Sequence, residues 1–295
     1  MGAPEKIKKL ALGTAQFGLA YGVSNKRGLV PAPEVLDILK LAAAAGVDLL
    51  DTAQAYGGSE AAIGAYLKTS PGAFRVVTKL KDVPGAEATA ALRTSADRAG
   101  VGRFYGTLLH SYDEHLAHPD RYEGLLECRR SGLTQKTGFS LYHPEQAARL
   151  LAAQIDFDLV QVPYSLLDRR FERVFPALKA AGVEIHVRSV FLQGLLLMNA
   201  TSIPEGLRRA APKVELIRAY AAVHGWTAAA VCAGFALANP LVDRVVIGVD
   251  GLPALKDNLE GLGALPGGDL PGLQAALGGL AETDEDLILP QNWKK

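Results

Sequence analysis

Short apolar runs that stop at a polar or charged residue recur along this chain. Val47-Asp48-Leu49-Leu50 stops at Asp51, Arg75-Val76-Val77-Thr78 at Lys79, and Tyr105-Gly106-Thr107-Leu108-Leu109 at His110. Runs of this length read as strands of a parallel sheet covered on both faces. The same reading places strands at residues 10–14, 47–51, 75–79, 105–110, 136–140, 159–163, 184–188 and 244–248. Helical patterns lie between them. The one over 33–45 ends at Gly46, a residue suited to the left-handed position past a helix, and the alanine-rich stretches 87–99, 147–153 and 228–238 suit close packing on a sheet. Strand and helix alternating through eight units predict an α/β fold, a (β/α)8 TIM barrel. An open doubly wound sheet is the alternative, disfavoured because no Gly-x-Gly-x-x-Gly follows the first strand. We read residues 1–295 as a single domain, with 261–295 as a tail that either folds over the rim or caps the barrel.

In a barrel the carboxyl ends of all strands share one rim, and enzymes of this shape keep their chemistry there. Asp51, Lys79 and His110 each close a strand, and Tyr56 follows Asp51 by five residues, so an acid, an ammonium, an imidazole and a phenol are expected to face one pocket. Singly each has an ordinary explanation: an Asp at a strand end caps or turns, a Tyr is commonly exposed, and Lys79 with Lys81 resembles a solvated edge. Together they can protonate a carbonyl oxygen. Two long segments, 17–30 and 192–211, leave carboxyl ends of strands and are expected to wall the pocket. Gln16, Phe17, Tyr21, Tyr112, Tyr142 and Arg188 are expected at its mouth, a mixture suited to a small aldehyde or a sugar-like substrate.

Composition narrows the partners. Lys plus Arg and Asp plus Glu each number 31, so no net field draws in nucleic acid or an anionic membrane. No run of about 18 apolar residues occurs and residues 1–5 hold no apolar leader core, which predicts no membrane association. Cys128 and Cys232 are too few for a disulfide framework or a zinc site, and they read as buried thiols of a cytoplasmic protein.

Leu12-Gly13-Thr14-Ala15-Gln16-Phe17-Gly18, and Leu50-Asp51-Thr52-Ala53-Gln54-Ala55-Tyr56-Gly57 with Ser59, Glu60 and Gly64 after it, resemble the opening of the aldo-keto reductases. Lys79 in Val77-Thr78-Lys79 and His110 in Leu108-Leu109-His110 match that family's third and fourth catalytic positions. The likeness continues through Thr137-Gly138-Phe139-Ser140, Leu159-Val160-Gln161-Val162-Pro163-Tyr164 and Val245-Val246-Ile247-Gly248 to Asn258. It implies carbonyl reduction by NADPH, with NADH as the second candidate, and no metal. It also implies Ser140 and Gln161 at the nicotinamide carboxamide, Ser189 and Gly194 along the pyrophosphate, and Gly248, Lys256 and Asn258 around the adenosine end. Gly13, Thr14, Asp51 and Arg188 join the cofactor contacts on the same resemblance. Three positions depart from the family's usual pattern. Leu141 stands where an Asn often follows the serine, Arg188 where an aromatic ring often stacks on the nicotinamide, and Ala254 where an Arg often grips the 2′-phosphate of NADP. The last, with Asp250 and Asp257 close enough in sequence to repel the phosphate, predicts weak discrimination between the dinucleotides, with NADPH slightly favoured.

Hydride delivered to a carbonyl carbon leaves charge on oxygen, so Tyr56 is the expected proton donor. A phenol titrates near ~10, and one ammonium at ~4 Å in an effective dielectric of ~20 supplies ~4 kcal/mol, roughly three pKa units. On that reckoning Lys79 alone activates Tyr56. Asp51 would hold Lys79 charged and in place at the cost of part of that shift, and His110 would orient the substrate oxygen as a neutral imidazole. Two other classes stay open: a lyase forming a Schiff base on Lys79, and a dinucleotide-binding regulatory protein of slow turnover.

Overall fold

The sheet closes on itself. A computed structural model of the chain describes residues 5–266, 270 and 272–293. Eight parallel strands pair in chain order, and the last returns to the first through Leu12↔Ile247 and Gly13↔Gly248. They are β1 Leu10–Gly13, β2 Leu49–Asp51, β3 Arg75–Leu80, β4 Phe104–Leu109, β5 Thr134–Ser140, β6 Leu159–Pro163, β7 Glu184–Arg188 and β8 Arg244–Gly248. This is the TIM barrel that the alternation predicts, and closure removes the doubly wound alternative, whose two edges stay open. The strand ends differ from expectation by one or two residues. β2 starts at Leu49 rather than at residue 47, and Asp48 instead pairs with Arg75 at 2.6 Å and Arg244 at 2.8 Å at the amino-terminal mouth.

The strands alternate between an outer core and the barrel interior. Leu10, Leu12, Leu50, Val76, Val160, Val162, Ile185, Val187, Val245 and Ile247 join the large core under the helices. Ala11, Leu49, Val77, Leu108, Leu159 and Val246 form a separate small core inside the barrel. Burial on both faces is the reason these strands show as short continuous apolar runs.

The helices end where the sequence punctuates them. Pro33 lies in the first turn of helix Ala32–Ala45, and Gly46, at φ 91°, closes it. Helices Ser59–Leu67 and Ala88–Ala99 cross so closely that a Cβ on Gly64 would lie 2.1 Å from Arg98 O. Helix Ala228–Ala238 buries every residue from Ala230 to Leu237, Cys232 among them. Both cysteines are free and buried.

The described part of the tail runs beside the rim and does not cross the pocket. Leu277, Leu280, Leu287, Ile288 and Leu289 are buried. Glu282 N donates to Leu167 O at 2.8 Å and Lys213 Nζ to Leu280 O at 3.1 Å, while Glu285 pairs with Arg170 at 2.7 Å and His143 at 3.0 Å. These contacts fasten the tail to the loops after β5 and β6 and to helix Ala211–Val223.

Candidate active site

Two residues past its inner-core level, each strand presents one last inward-facing position before its loop begins. Those residues are Gly13, Asp51, Lys79, His110, Ser140, Gln161, Arg188 and Gly248, one for each strand, and all eight line a cavity of about 330 Å³ at the carboxyl ends. Tyr56, Thr14, Ser189, Gly194 and Asn258 line it as well. Lys256, expected at the cofactor, does not: it is exposed. Ala254 and Asn258 are four apart on helix Leu252–Gly263 and share its pocket-facing side, so Lys256 between them projects the other way.

Lys79 is 1% exposed and Asp51 4%. The ammonium donates to Asp51 Oδ1 and Oδ2, both at 2.8 Å, and to Thr52 O at 2.9 Å, which places all three of its hydrogens. Gln161 Nε2 donates to Asp51 Oδ1 at 2.7 Å. Burial pushes the Lys79 ammonium below its ordinary pKa, and Asp51 opposes that shift. An enclosed ammonium bonded in this way offers no free lone pair to a carbonyl, which argues against the Schiff-base alternative.

Lys79 Nζ sits over the face of the Tyr56 ring, 5.2 Å from its centroid, and makes no hydrogen bond to the hydroxyl. Burial raises the Tyr56 pKa, Asp51 adds to the rise, and Arg188 is the cation that works against it. The Lys79 ammonium, paired with Asp51, faces the ring and not the hydroxyl, and the positive charge that opposes the rise belongs to Arg188. That guanidinium has neutral partners. It donates to Ser189 Oγ at 3.3 Å and Leu141 O at 3.2 Å, and it lies 4.3 Å from the centroid of the Tyr142 ring. His110 meets Tyr56 edge-on, with ring centroids 6.1 Å apart at 81°. Burial, together with the charges of Lys79 and Arg188, lowers the His110 pKa to about 4, so the ring is neutral near pH 7.

Tyr56 is placed by its neighbours in the chain. A Cβ on Gly18 would lie 1.8 Å from Tyr56 O, and one on Gly57, at φ 55°, would lie 2.5 Å from Gly18 O. Only a glycine pair lets the loops after β1 and β2 touch there. Ser59 Oγ lies 2.7 Å from Thr14 Oγ1 and 3.0 Å from Thr52 Oγ1, knitting the same two loops together. Glu60 is 2% exposed; it accepts from Thr78, next to Lys79, at 3.0 Å and pairs with Arg98 at 2.7 Å.

Of the residues expected at the mouth, Gln16, Tyr21, Tyr142 and Arg188 line the cavity. Phe17 and Tyr112 do not: they are 4% and 5% exposed and belong to the core. Phe17 turns inward at the end of the turn Ala15–Phe17, and Tyr112 packs on His115. The two long loops meet over the cavity. Ser24 N lies 3.4 Å from Gln193 O, and a Cβ on Gly194 would strike Ser24 Oγ at 1.8 Å. Ser189, Leu192 and Gln193 hold positive φ of 61°, 46° and 54°, a concentration of left-handed non-glycine backbone of the kind found at binding sites. Beyond Leu197 the second segment leaves the cavity and folds into the turns Ala200–Ser202 and Glu205–Ala210. Ser24, Asn25, Gln193 and Asp250 line it too, and of these only Asp250 is marked in the sequence, by its nearness to Ala254.

Two buried oxygens at this site, Gln161 Oε1 and Gln16 Oε1, have no protein partner. A Cβ on Gly248 would lie 2.9 Å from either polar atom of the Gln16 amide. A ligand carrying an amide would supply the missing donor to Gln161, so the residues fit a nicotinamide. Among the described residues no group of three His, Cys, Asp or Glu could hold a metal ion, and no single helix is long and apolar enough to cross a membrane.

Residues 9–265 match the family model of the aldo/keto reductases. The chain belongs to the aldo/keto reductase family. It is an oxidoreductase that acts on carbonyl compounds. The aldo-keto reductase of Bacillus halodurans, in its holo form, superposes on it with a TM-score of 0.77 at 21% identity, over 97% of this chain and 95% of that one. A Pseudomonas aeruginosa protein provisionally assigned to the aldo-keto reductases gives 0.63 at 24% identity, over 85% and 88%. At such identities the likeness shows the fold alone. No curated protein matches the chain in sequence.

Proposed function

We propose that this aldo/keto reductase reduces a small aldehyde or ketone to its alcohol, or runs the reverse oxidation, with NADPH or NADH as redox partner and Tyr56 as proton donor. The observation that carries the reading is Tyr56 and His110 meeting edge-on above the buried Lys79–Asp51 pair. A nicotinamide, when bound, would supply the hydride that the carbonyl carbon takes up. Neutral His110 donates to the carbonyl oxygen and turns it toward Tyr56, whose hydroxyl passes it a proton as the charge develops. Arg188 steadies the phenolate left on Tyr56, and the Lys79–Asp51 pair fixes the floor beneath the ring.

Ser140 and Gln161, paired in register across β5 and β6, would hold the carboxamide. Ser189, Gly194, Gly13 and Thr14 would follow the pyrophosphate, and Gly248 with Asn258 the adenosine. Gln16, Tyr21 and Tyr142 offer amide and phenol groups to a small polar or sugar-like substrate. The free, buried cysteines fit a reducing compartment such as the cytoplasm.

Tyr56→Phe tests the reading. It is expected to keep dinucleotide affinity and to lower turnover of an aldehyde panel by at least about 100-fold, since a positioned acid contributes on the order of 10² to 10⁴. Near-normal turnover would place the proton donor elsewhere.

A further inference from the structure

The cavity reaches from the barrel centre to the loop after β8, and the two regions differ in charge. One end lies over the barrel centre, at Tyr56, His110 and Gln161; the other lies past β8, at Val249, Asp250, Ala254 and Asn258. If the nicotinamide occupies the first end, as the proposed function requires, the second nucleoside falls at the other. Asn258 there is 8% exposed, lines the cavity, and has no side-chain hydrogen-bond partner among the described residues. An amide enclosed in that way awaits a polar ligand. The neighbouring residue that could set the charge of the ligand is Asp250, which lines the cavity; its carboxylate makes no hydrogen bond or salt bridge among the described residues, and its charge is felt by Arg27.

The backbone around Asp250 is fixed from outside the cavity. Arg27 Nη1 donates to Asp250 O at 2.9 Å, and Glu34 Oε1 accepts from Leu252 N at 2.8 Å at the start of helix Leu252–Gly263. Arg27 and Glu34 are joined to each other by two bonds, of 3.0 and 2.7 Å. The consequence is twofold. An internal carboxylate already occupies the amide that opens this helix, where an incoming phosphate would otherwise dock. The nearby guanidinium is already neutralised. With Ala254 on the pocket face and Lys256 turned away, no free cation lines this end among the described residues.

We propose that Asp250 makes this protein an NAD(H) enzyme: its carboxylate accepts from the vicinal hydroxyls of an unmodified adenosine ribose and repels the 2′-phosphate of NADP(H). A carboxylate meets a diol as a two-oxygen acceptor, whereas a phosphate dianion there meets like charge, and the nearest cation, Arg27, is already bonded to Glu34. The inference reverses the slight NADPH preference expected from the sequence. It rests on the pocket being the dinucleotide site.

Calorimetric titration of the full-length protein with NADH and NADPH tests it without any turnover. NADH is expected to bind at least about tenfold more tightly than NADPH. Equal affinity, or tighter NADPH, overturns the inference and leaves the oxidoreductase reading intact; binding of neither dinucleotide overturns both. Asp250→Asn is expected to tighten NADPH about tenfold or more while weakening NADH a few-fold, and an unchanged ratio removes Asp250 from the role. Arg27→Ala is expected to affect both dinucleotides alike. A loss confined to NADPH would make Arg27 the partner of the phosphate and overturn the assignment.

Discussion

His110 stands among groups that all disfavour its protonation. It is mostly enclosed, and Lys79, Arg188 and Lys81 each add positive potential, while Asp51 alone opposes them. A neutral ring can donate to a carbonyl oxygen without adding a charge that would have to be solvated again when the alcohol leaves. The arrangement has a measurable consequence for stability. The folded ring titrates at about 4 against an ordinary 6.5. Below pH 6.5 the unfolded chain therefore takes up a proton that the folded chain refuses, so the contribution is whole above 6.5 and is lost as pH falls toward 4. At pH 5 the loss is about 2 kcal/mol, from 1.36 kcal/mol per unit. His110→Gln is expected to show a smaller drop in Tm between about pH 7.5 and pH 5 than the parent, measured by scanning calorimetry; an equal drop would assign the proton uptake to other groups.

At the scale of elements, the site is a property of strand alternation. An inner-core residue followed two positions later by a rim residue recurs in Leu49 and Asp51, Val77 and Lys79, Leu108 and His110, and Leu159 and Gln161. Because both faces of these strands are buried, a polar residue at the end of an apolar run stands out, and this made the strands and rim legible in the sequence. What escaped were groups defined by contacts between loops. Ser24 acquires its place only from Gln193, and Asp250, marked in the sequence by its charge near Ala254, is fixed only through Arg27 and Glu34, which no periodicity links to it. Phe17 was misplaced at the mouth because a short turn, not a strand, decides which way it points. The glycines sit between these cases: Gly18 and Gly57 are visible in sequence, yet their purpose is the contact between two loops. Gly18→Ala is expected to push the Tyr56 backbone away, lowering kcat by about tenfold or more with little change in dinucleotide Kd, since a small displacement of a reacting group costs on the order of 10² in rate. Unaltered kcat, read with the Tm to confirm folding, would show that the loop relaxes around the methyl group.

At the scale of the whole molecule, the small inner core separates two polar mouths that do different work. At the amino-terminal mouth Glu184 accepts from Tyr105 OH at 2.7 Å and from Lys136, and its other oxygen lies 2.8 Å from His186 Nε2. Arg75 lies 4.4 Å from the centroid of the Tyr105 ring. Burial pushes the Glu184 pKa up, but His186, Lys136 and Tyr105 outweigh it and hold the carboxyl below its usual range. None of these groups lines the cavity. The amino-terminal face of such a barrel serves stability, so removing the shared carboxylate should be felt there and not at the rim. Glu184→Gln is expected to destabilise the fold by about 1 to 3 kcal/mol, less than for a fully buried pair because Lys136, at 26% side-chain exposure, keeps some water. Dinucleotide Kd should stay within about twofold. Combined with Tyr56→Phe, the stability loss and the turnover loss are each expected to match those of the single variants, as for distant sites without shared partners. A coupling above about 0.5 kcal/mol would mean that the layer formed by Ala11, Leu49, Val77, Leu108, Leu159 and Val246 transmits strain from one mouth to the other.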